Sequence, residues 1–343
     1  MSARESEIAA FLSEAGWPTA ERTMLAGDAS FRRYERLHGA DGSRAVLMDA
    51  PPPQENVAPF RDVARLLQSL GLSAPRVLAC DAGRGLLLLE DFGDQTFGKL
   101  LAEGAQQEPL YRLATDTLID LQRAWAARGG DGRDGMGADL PVYDDALLID
   151  REANLLLDWY MPAVGLEPDE GQRQAYRQAW QEALARVHAH RQTLVLRDFF
   201  PDNLMLLEAR DGTAACGLLD FQDAVVGSPL YDLASLLQDA RRDVPPEIEE
   251  QMLQRYLAAF PELDAQDARV AYTVIAAQRH AKVIGIFTRL ARRDGKPGYL
   301  AHIPRLWRML NRALSAPALE PVHAWLDVNL PRTQRVIPPE TQT

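Results

Sequence analysis

The segment LRDFFPDNLM, at residues 196–205, and the segment LLDFQDAVVGSPLYDL, at residues 218–233, place polar side chains among apolar ones. Asp198, Asn203 and Asp220 all stand beside apolar runs in these two segments. A carboxylate in such surroundings is costly to desolvate unless a partner neutralises it. We therefore expect the two segments to form a site in which these side chains meet either neutralising partners or a metal ion.

The spacing of these residues is typical of phosphoryl transfer. That reaction needs a base near the accepting hydroxyl and Mg²⁺ held between the nucleotide phosphates, and Mg²⁺ prefers oxygen ligands such as carboxylates. The kinase signature supplies them as an aspartate, an asparagine five positions later and a second aspartate beyond a short hairpin. Asp198 and Asn203 have this spacing, and Asp220 follows two strand-like segments. The pattern predicts a metal-dependent phosphotransferase.

The first part of the chain has the pattern of a small antiparallel sheet. FRRYERLH and RAVLMDA flank the turn signal GADG, and RVLACD and LLLLED flank AGRG, so each pair is predicted to form a hairpin. Between the hairpins, residues 55–71 carry apolar side chains at a helical period that ends at Gly71. The order strand–strand–helix–strand–strand describes a small sheet with one helix packed on it.

Beyond residue 93 the pattern becomes helical, except that 193–220 has the pattern of two short strands around a turn. The predicted helical stretches are 107–127, 144–160, 169–190 and 230–315. We therefore predict an α+β, protein kinase-like bilobal fold, with a small antiparallel β-sheet lobe and a larger, mainly helical lobe. Its predicted parts are a nucleotide-binding lobe at 1–92, a catalytic and acceptor-binding lobe at 93–330, and a disordered tail at 331–343.

The composition limits the classes to which the protein can belong. The 343 residues are 47% hydrophobic and 25% charged, as in globular proteins, and the net charge of −12 argues against a nucleic-acid or anionic-membrane binder. No apolar run approaches the roughly 20 residues that span a bilayer, and the N-terminus lacks the apolar core of a signal peptide. Two cysteines are too few for a disulfide framework. We expect a cytoplasmic protein with no nucleic-acid or membrane partner and no evident obligate protein partner.

With the phrases around them, these motifs resemble the aminoglycoside phosphotransferase and choline kinase-like family. The resemblance is closest to the bacterial anomeric kinases of N-acetylmuramate and N-acetylglucosamine, and it runs over about residues 20–310. Its marks are GDASFRRYERL, VLMDAPP, LEDFGD, RDFFPDN, LLDFQDAVVGSPLYDLASLL and RHAKVIGIFTRLARRDGKPGYL. The resemblance implies ATP as phosphate donor and Mg²⁺ as cofactor.

The resemblance also implies a role for each matching residue. Asp198 is the implied catalytic base, Asn203 and Asp220 are the implied Mg²⁺ ligands, and Asp232 is implied to support the catalytic loop without touching substrate. The implied nucleotide-binding residues lie in a turn over the phosphates and in a hinge beside the adenine: Gly27, Ser30, Arg32, Arg33, Glu90 and Phe92.

Two positions depart from the family pattern. The strand that usually carries a phosphate-binding lysine has Met48 or Asp49 in its place, and the first lysine of the chain is Lys99. Leu196 stands where the family has a histidine before the catalytic Arg-Asp pair. Arg32 and Arg33, already named, are candidate replacements for the lysine, because guanidinium binds phosphate through two hydrogen bonds. If they alternate along a strand, one of them faces the nucleotide and the sequence does not distinguish which.

The acceptor is expected to bind beside the catalytic loop, against side chains of the helical lobe. The candidate substrate-binding residues are Asp144, Glu152, Tyr160, Arg279 and Lys282. Arg279 and Lys282 share a helical face and are suited either to an acceptor carboxylate, such as the lactyl group of N-acetylmuramate, or to internal salt bridges. Tyr160 is suited either to stacking on a sugar or to core packing.

The predicted function is ATP-dependent phosphorylation of the anomeric hydroxyl of N-acetylmuramate or N-acetylglucosamine, giving the sugar 1-phosphate in cell-wall recycling. One alternative is the same chemistry on another small hydroxyl acceptor: choline, homoserine or an aminoglycoside. A choline site needs an aromatic cage and an aminoglycoside site an acidic one, whereas the stretch at 279–289 is cationic. The other alternative is a nucleotide-binding pseudokinase regulator, suggested by the missing lysine.

Overall fold

A computed structural model describes residues 2–25, 32–129, 140–190 and 192–339. The chain divides into two compact units. Of the described residues, the first unit contains 2–25, 32–124 and 201–224, and the second contains 125–129, 140–190, 192–200 and 225–339. None of the described helices is long and apolar enough to cross a membrane.

The first unit is built on a five-stranded antiparallel sheet with the strand order β1-β2-β3-β5-β4. Its strands are β1 (Glu21–Met24), β2 (Arg33–His38), β3 (Arg44–Asp49), β4 (Val77–Asp81) and β5 (Leu86–Glu90). Its helices are α1 (Ala3–Glu14), α2 (Ala58–Ser69), α3 (Phe97–Ala102) and most of α4 (Gln107–Ala127), and a hairpin of β7 (Leu204–Leu206) and β8 (Cys216–Leu218) completes it.

Side-chain alternation along the strands gives the sheet two different faces. Leu37, Leu47 and Leu88 point to one face, where they form a core with Ile8 and Phe11 of α1. Residues two apart in a strand share a face and neighbours point oppositely, so the intervening residues of β2 and β3 point to the other face. Neighbouring residues of β2 therefore lie on different sides of the sheet.

Helix α2 contacts the segment that carries Asp220. Its apolar residues recur at helical spacing and are buried, and the chain leaves the helix at Gly71, which has a φ of +84° that glycine adopts without strain. At its first turn, Phe60 packs against Phe221, with ring centroids 4.9 Å apart. The residue that follows Asp220 is thereby anchored in the core of the first unit.

The second unit is mainly helical. Its elements are two π-helical segments (Ala146–Ala153 and Leu156–Tyr160), α5 (Met161–Ala163), α6 (Glu170–His188), β6 (Thr193–Val195), β9 (Val225–Gly227), α7 (Tyr231–Leu237), α8 (Pro246–Ala259), α9 (Ala265–Arg292), α10 (Ile303–Ala313) and α11 (Glu320–Asn329). Helix α9 is its central element and is buried along most of its length. Gly285 allows close packing there, because a Cβ on it would lie 2.3 Å from the Leu155 carbonyl carbon.

The predicted α+β class is confirmed, with an antiparallel sheet and a larger helical part. The prediction of a disordered tail from residue 331 is wrong for residues 331–339, whereas 340–343 lie outside the described residues. Arg335 is buried and bonds to Asn311 and Asp327, and Arg292 donates to the carbonyl of Pro339. The predicted lobe boundary at 92/93 stays a prediction, and the compact unit that holds the sheet continues beyond it to Ala124.

Candidate active site

Asn203 and Asp220, the predicted metal ligands, lie together in the first unit. Asn203 ends a 3₁₀ turn just before β7, Asp220 follows β8, and the Asn203 Nδ2 atom lies 3.5 Å from Asp220 Oδ2. The hairpin fixes their spacing, because the backbone N–H of Leu219 donates to the carbonyl of Asn203 at 3.0 Å. Asp220 has a φ of +55°, a left-handed conformation that is unfavourable for a side chain other than glycine. Such strain is typical of functional positions held by their surroundings.

The two side chains fit a magnesium ion. Mg²⁺ is usually held by one or two protein oxygens together with substrate phosphates and water, and a carboxylate next to an amide supplies such a pair. The Asp220 side chain is one-third exposed, so solvent and a ligand can reach it. Gln222 Nε2 donates to Asp220 Oδ1 at 2.7 Å and holds the carboxylate in place. Within the described residues, no group of three His, Cys, Asp or Glu side chains could hold a metal ion.

Arg32 lies close to this pair. Its Nε atom is 3.2 Å from Glu55 Oε2, and its Nη1 atom is 3.8 Å from Asp220 Oδ1. The Arg32 side chain is 12% exposed, whereas Arg33 is exposed. Glu55 was not among the predicted site residues. It lies just before α2, and its position resembles that of the helix glutamate that pairs with the strand lysine in protein kinases.

The two residues at the expected place of the lysine have other roles. Met48 is buried in the sheet, and the Asp49 carboxylate accepts a hydrogen bond from Arg4 Nε of α1 at 3.0 Å. Asp49 therefore attaches α1 to the sheet.

The predicted hinge residues are held by structural contacts. Glu90 accepts hydrogen bonds from Arg76 Nε at 3.1 Å and from Arg210 Nη2 at 2.7 Å. Phe92 lies under the Arg210 guanidinium, 5.2 Å from ring centroid to Cζ, and against Gly217, where a Cβ would come within 2.9 Å of the ring. Both side chains therefore have structural contacts, and their predicted place in a hinge beside the adenine stays a prediction. Gly27 and Ser30 lie outside the described residues.

Asp198, the predicted base, belongs to the second unit and lies on the loop after β6. This loop is fixed by Asp232, at the start of α7, whose Oδ2 accepts the Leu196 N–H at 2.6 Å and whose Oδ1 accepts the Arg197 N–H at 2.9 Å. Arg197 has a φ of +70°, so the backbone turns sharply just before Asp198. Burial raises the pKa of the Asp232 carboxyl to about 7, against the opposing effects of the two N–H donors and of Arg279. These contacts match the supporting role predicted for Asp232.

A buried ion cluster lies in the same unit as Asp198. Glu152 lies 2.8 Å from Lys282 Nζ, accepts a hydrogen bond from the Tyr143 hydroxyl at 2.6 Å and also pairs with Arg197. Burial acts to raise the pKa of Glu152, but Lys282 and Arg197 outweigh it, so the net direction is downward. Arg197 had no predicted role. It directly precedes Asp198, and its side chain connects this part of the loop to the ion cluster.

Arg279 has a different environment from Lys282. It is 6% exposed, its Cζ lies 5.3 Å from the centroid of the Tyr231 ring, and it forms no ion pair with a described carboxylate. Its Nε atom is buried and has no hydrogen-bond acceptor within the described part of the chain. Asp198 and Asp232 interact with it electrostatically. Of the two cations predicted to receive an acceptor carboxylate, Lys282 pairs with Glu152, whereas Arg279 forms no ion pair with a carboxylate in the described part of the chain.

The remaining acceptor candidates have structural contacts. Asp144 Oδ1 accepts the Leu147 N–H at 3.1 Å at the start of a helical segment. Tyr160 is fully buried, and its hydroxyl donates to the carbonyl oxygen of Val336, at 2.7 Å, or of Gln334, at 2.9 Å. The contacts of Tyr160 favour core packing, the second of the two predicted alternatives.

The chain carries the aspartate, asparagine and second aspartate of the kinase signature, together with a small antiparallel sheet and its helix. Residues 21–266 match the model of the phosphotransferase enzyme family, and the chain belongs to this family.

Two of its relatives are named N-acetylmuramate/N-acetylglucosamine kinase. The one from Caulobacter vibrioides is 38% identical over 99% of this chain and 99% of its own length. The one from Pseudomonas aeruginosa is 41% identical over 89% of this chain and 88% of its own.

Solved structures agree in fold. The GDP complex of aminoglycoside 2'-phosphotransferase-IIIa is 15% identical, with a TM-score of 0.61 over 92% of this chain and 99% of that one. An ethanolamine kinase from Plasmodium vivax has a TM-score of 0.57 at 10% identity, over 88% of this chain and 84% of that one. At these identities the likeness concerns the fold alone.

Proposed function

We propose that the protein is an ATP-dependent kinase that phosphorylates the anomeric hydroxyl of N-acetylmuramate and N-acetylglucosamine. The observation that carries the proposal is the near full-length similarity, at 38% and 41% identity, to relatives of that name. The presence of Asp198, Asn203 and Asp220 at the spacing of the kinase signature supports catalysis. The product, a sugar 1-phosphate, fits a role in recycling cell-wall sugars in the cytoplasm, where ATP is available.

In the proposed reaction, the anomeric oxygen attacks the γ-phosphorus of ATP, the bond to the β-phosphate oxygen breaks, and ADP leaves. Asp198 orients the attacking hydroxyl and accepts its proton. Asn203 and Asp220 would hold Mg²⁺, which offsets the negative charge of the phosphates when bound. Asp232 keeps the loop before Asp198 in its strained conformation through two N–H groups.

The first prediction concerns the acceptor. With ATP and Mg²⁺, ADP release is expected with N-acetylmuramate and with N-acetylglucosamine and to be absent with choline, homoserine and kanamycin. Phosphorus NMR should locate the new ester on the anomeric carbon, because the proposed reaction gives a 1-phosphate.

Two results would contradict the proposal in different ways. If both amino sugars are inert while another acceptor turns over, the chemistry stands and the sugar assignment fails. If ATP binds but no acceptor turns over, the chain is a nucleotide-binding regulator, which the intact Asp198, Asn203 and Asp220 argue against.

The second prediction concerns Arg279, which we propose as the cation that recognises the carboxylate of N-acetylmuramate. The two sugars differ by the lactyl group, and a buried guanidinium that forms no ion pair with a described carboxylate is suited to receive the lactyl carboxylate. Arg279→Met is expected to raise KM for N-acetylmuramate roughly 10- to 100-fold, the loss of a hydrogen bond to a charged group, and to change KM for N-acetylglucosamine little.

N-Acetylglucosamine is the internal control in this experiment, because general damage to the site affects both sugars alike. Kinetics for each sugar with the wild type, Arg279→Met and Arg279→Lys give the comparison. An equal loss with both sugars would assign Arg279 to the support of the catalytic loop through Tyr231 and Asp232 instead.

A further inference from the structure

We propose that Arg32 is the cation that meets the nucleotide phosphates in this protein, replacing the lysine that β3 lacks. The inference rests on the proposed kinase function and names a residue of its phosphate site. Kinases of this fold carry the cation on the third strand, and the first lysine of this chain is Lys99. A replacement has to come from another element of the same sheet.

The register of the sheet distinguishes Arg32 from Arg33. In the pairing of β2 with β3, Tyr34 lies opposite Met48 and Arg33 lies opposite Asp49. Residues two apart in a strand share a face of the sheet, so Arg32 lies on the side of Tyr34 and Met48. Met48 is one of the two residues that stand at the expected place of the strand lysine. Arg33 lies on the side of Asp49, which faces α1 and pairs there with Arg4.

The contacts of Arg32 place its guanidinium beside Glu55 and beside Asp220, as expected of a phosphate-binding cation. Glu55 holds the guanidinium through a 3.2 Å contact to Nε, as the helix glutamate holds the strand lysine in protein kinases. Arg32 Nη1 lies 3.8 Å from Asp220 Oδ1, a distance longer than a hydrogen bond. The cation therefore lies beside the carboxylate proposed to hold Mg²⁺.

The electrostatics of the group also require a cation at this place. Glu55 and Asp220 are two carboxylates that both lie beside Arg32. ATP adds several negative charges next to Asp220. Without Arg32 the described residues of the group would present net negative charge to the phosphates, which opposes binding. A guanidinium satisfies both demands, since it carries a permanent charge and donates two parallel hydrogen bonds to phosphate oxygens.

The test measures nucleotide affinity directly. Isothermal titration with Mg²⁺ and ATP, ADP or AMP compares the wild type with Arg32→Met, Arg32→Lys and the matched control Arg33→Met. For Arg32→Met, affinity for ATP and ADP is expected to fall roughly 10- to 100-fold, the loss of a charge-assisted hydrogen bond, and affinity for AMP to change by less than about threefold. Arg32→Lys should recover part of the loss, and Arg33→Met should bind all three nucleotides as the wild type does.

Each other outcome overturns the inference. Unchanged ATP and ADP affinity in Arg32→Met shows that Arg32 does not meet the phosphates. An equal loss for all three nucleotides, shared by Arg32→Lys, shows that Arg32 only holds Glu55 and Asp220 in place, and a larger loss in Arg33→Met assigns the role to Arg33. Failure of the acceptor proposal is distinguishable, because an enzyme that uses another acceptor still binds ATP through Arg32.

Discussion

Replacing Asp198 with asparagine is expected to lower kcat roughly 10²- to 10⁴-fold, the usual contribution of a general base. Asparagine has nearly the same shape but cannot accept the proton of the sugar hydroxyl. The fold should be preserved, because the bonds of Asp232 to the Leu196 and Arg197 N–H groups hold the loop and are not changed by the substitution. KM for ATP should change little for the same reason. Steady-state kinetics with a thermal melt of each variant provide the measurement.

Asp211→Asn is a suitable control for this experiment. It makes the same chemical change at an exposed position in the turn between β7 and β8. Its rate should stay within about twofold of the wild type, as expected for a surface substitution. A rate near that of the wild type in Asp198→Asn would remove Asp198 from the role of base.

Residues whose structure depends on local pattern could be predicted from the sequence. The hairpin of β2 and β3 follows from two alternating runs around a Gly-containing turn, and α2 ends at Gly71 because glycine accepts a positive φ. By contrast, β1 was missed because it is a short edge strand with mostly exposed side chains, so it lacks the apolar alternation that indicates a strand.

Features that depend on long-range contacts could not be predicted. The tail at 331–339 was predicted to be disordered from its prolines, but Arg335 is buried against Trp307, 5.5 Å from Cζ to ring centroid, and Tyr160 binds the backbone beside it. Similarly, the spacing of Arg279 and Lys282 indicated that both lie on one face of a helix. Only the position of Glu152, which pairs with Lys282, shows that the two cations have different environments. The motif predicts the catalytic residues, whereas the pairing of Lys282 depends on a carboxylate more than a hundred residues away.

Breaking the buried pair of Glu152 and Lys282 is expected to destabilise the protein by about 3–5 kcal/mol, because the remaining charge stays buried without its partner. Glu152→Gln leaves both Lys282 and Arg197 without their shared carboxylate, and Lys282→Met removes one of the two described cations that pair with the buried Glu152, leaving Arg197 and the Tyr143 hydroxyl. The double variant should lose less than the sum of the two single losses, since the pair is removed together. Urea unfolding of the two single variants and the double variant gives this coupling energy.

Arg177 and Asp150 provide the matched control for the buried pair. They have the same separation of 2.8 Å and lie in the same unit, but their side chains are 31% and 39% exposed, compared with 9% and 4% for Lys282 and Glu152. Asp150→Asn is therefore expected to cost less than about 1 kcal/mol. If Lys282→Met costs no more than Asp150→Asn and instead raises KM for N-acetylmuramate, Lys282 binds the acceptor and its pairing with Glu152 does not stabilise the fold. A large loss of stability with a normal ratio of the two KM values leaves acceptor recognition to Arg279.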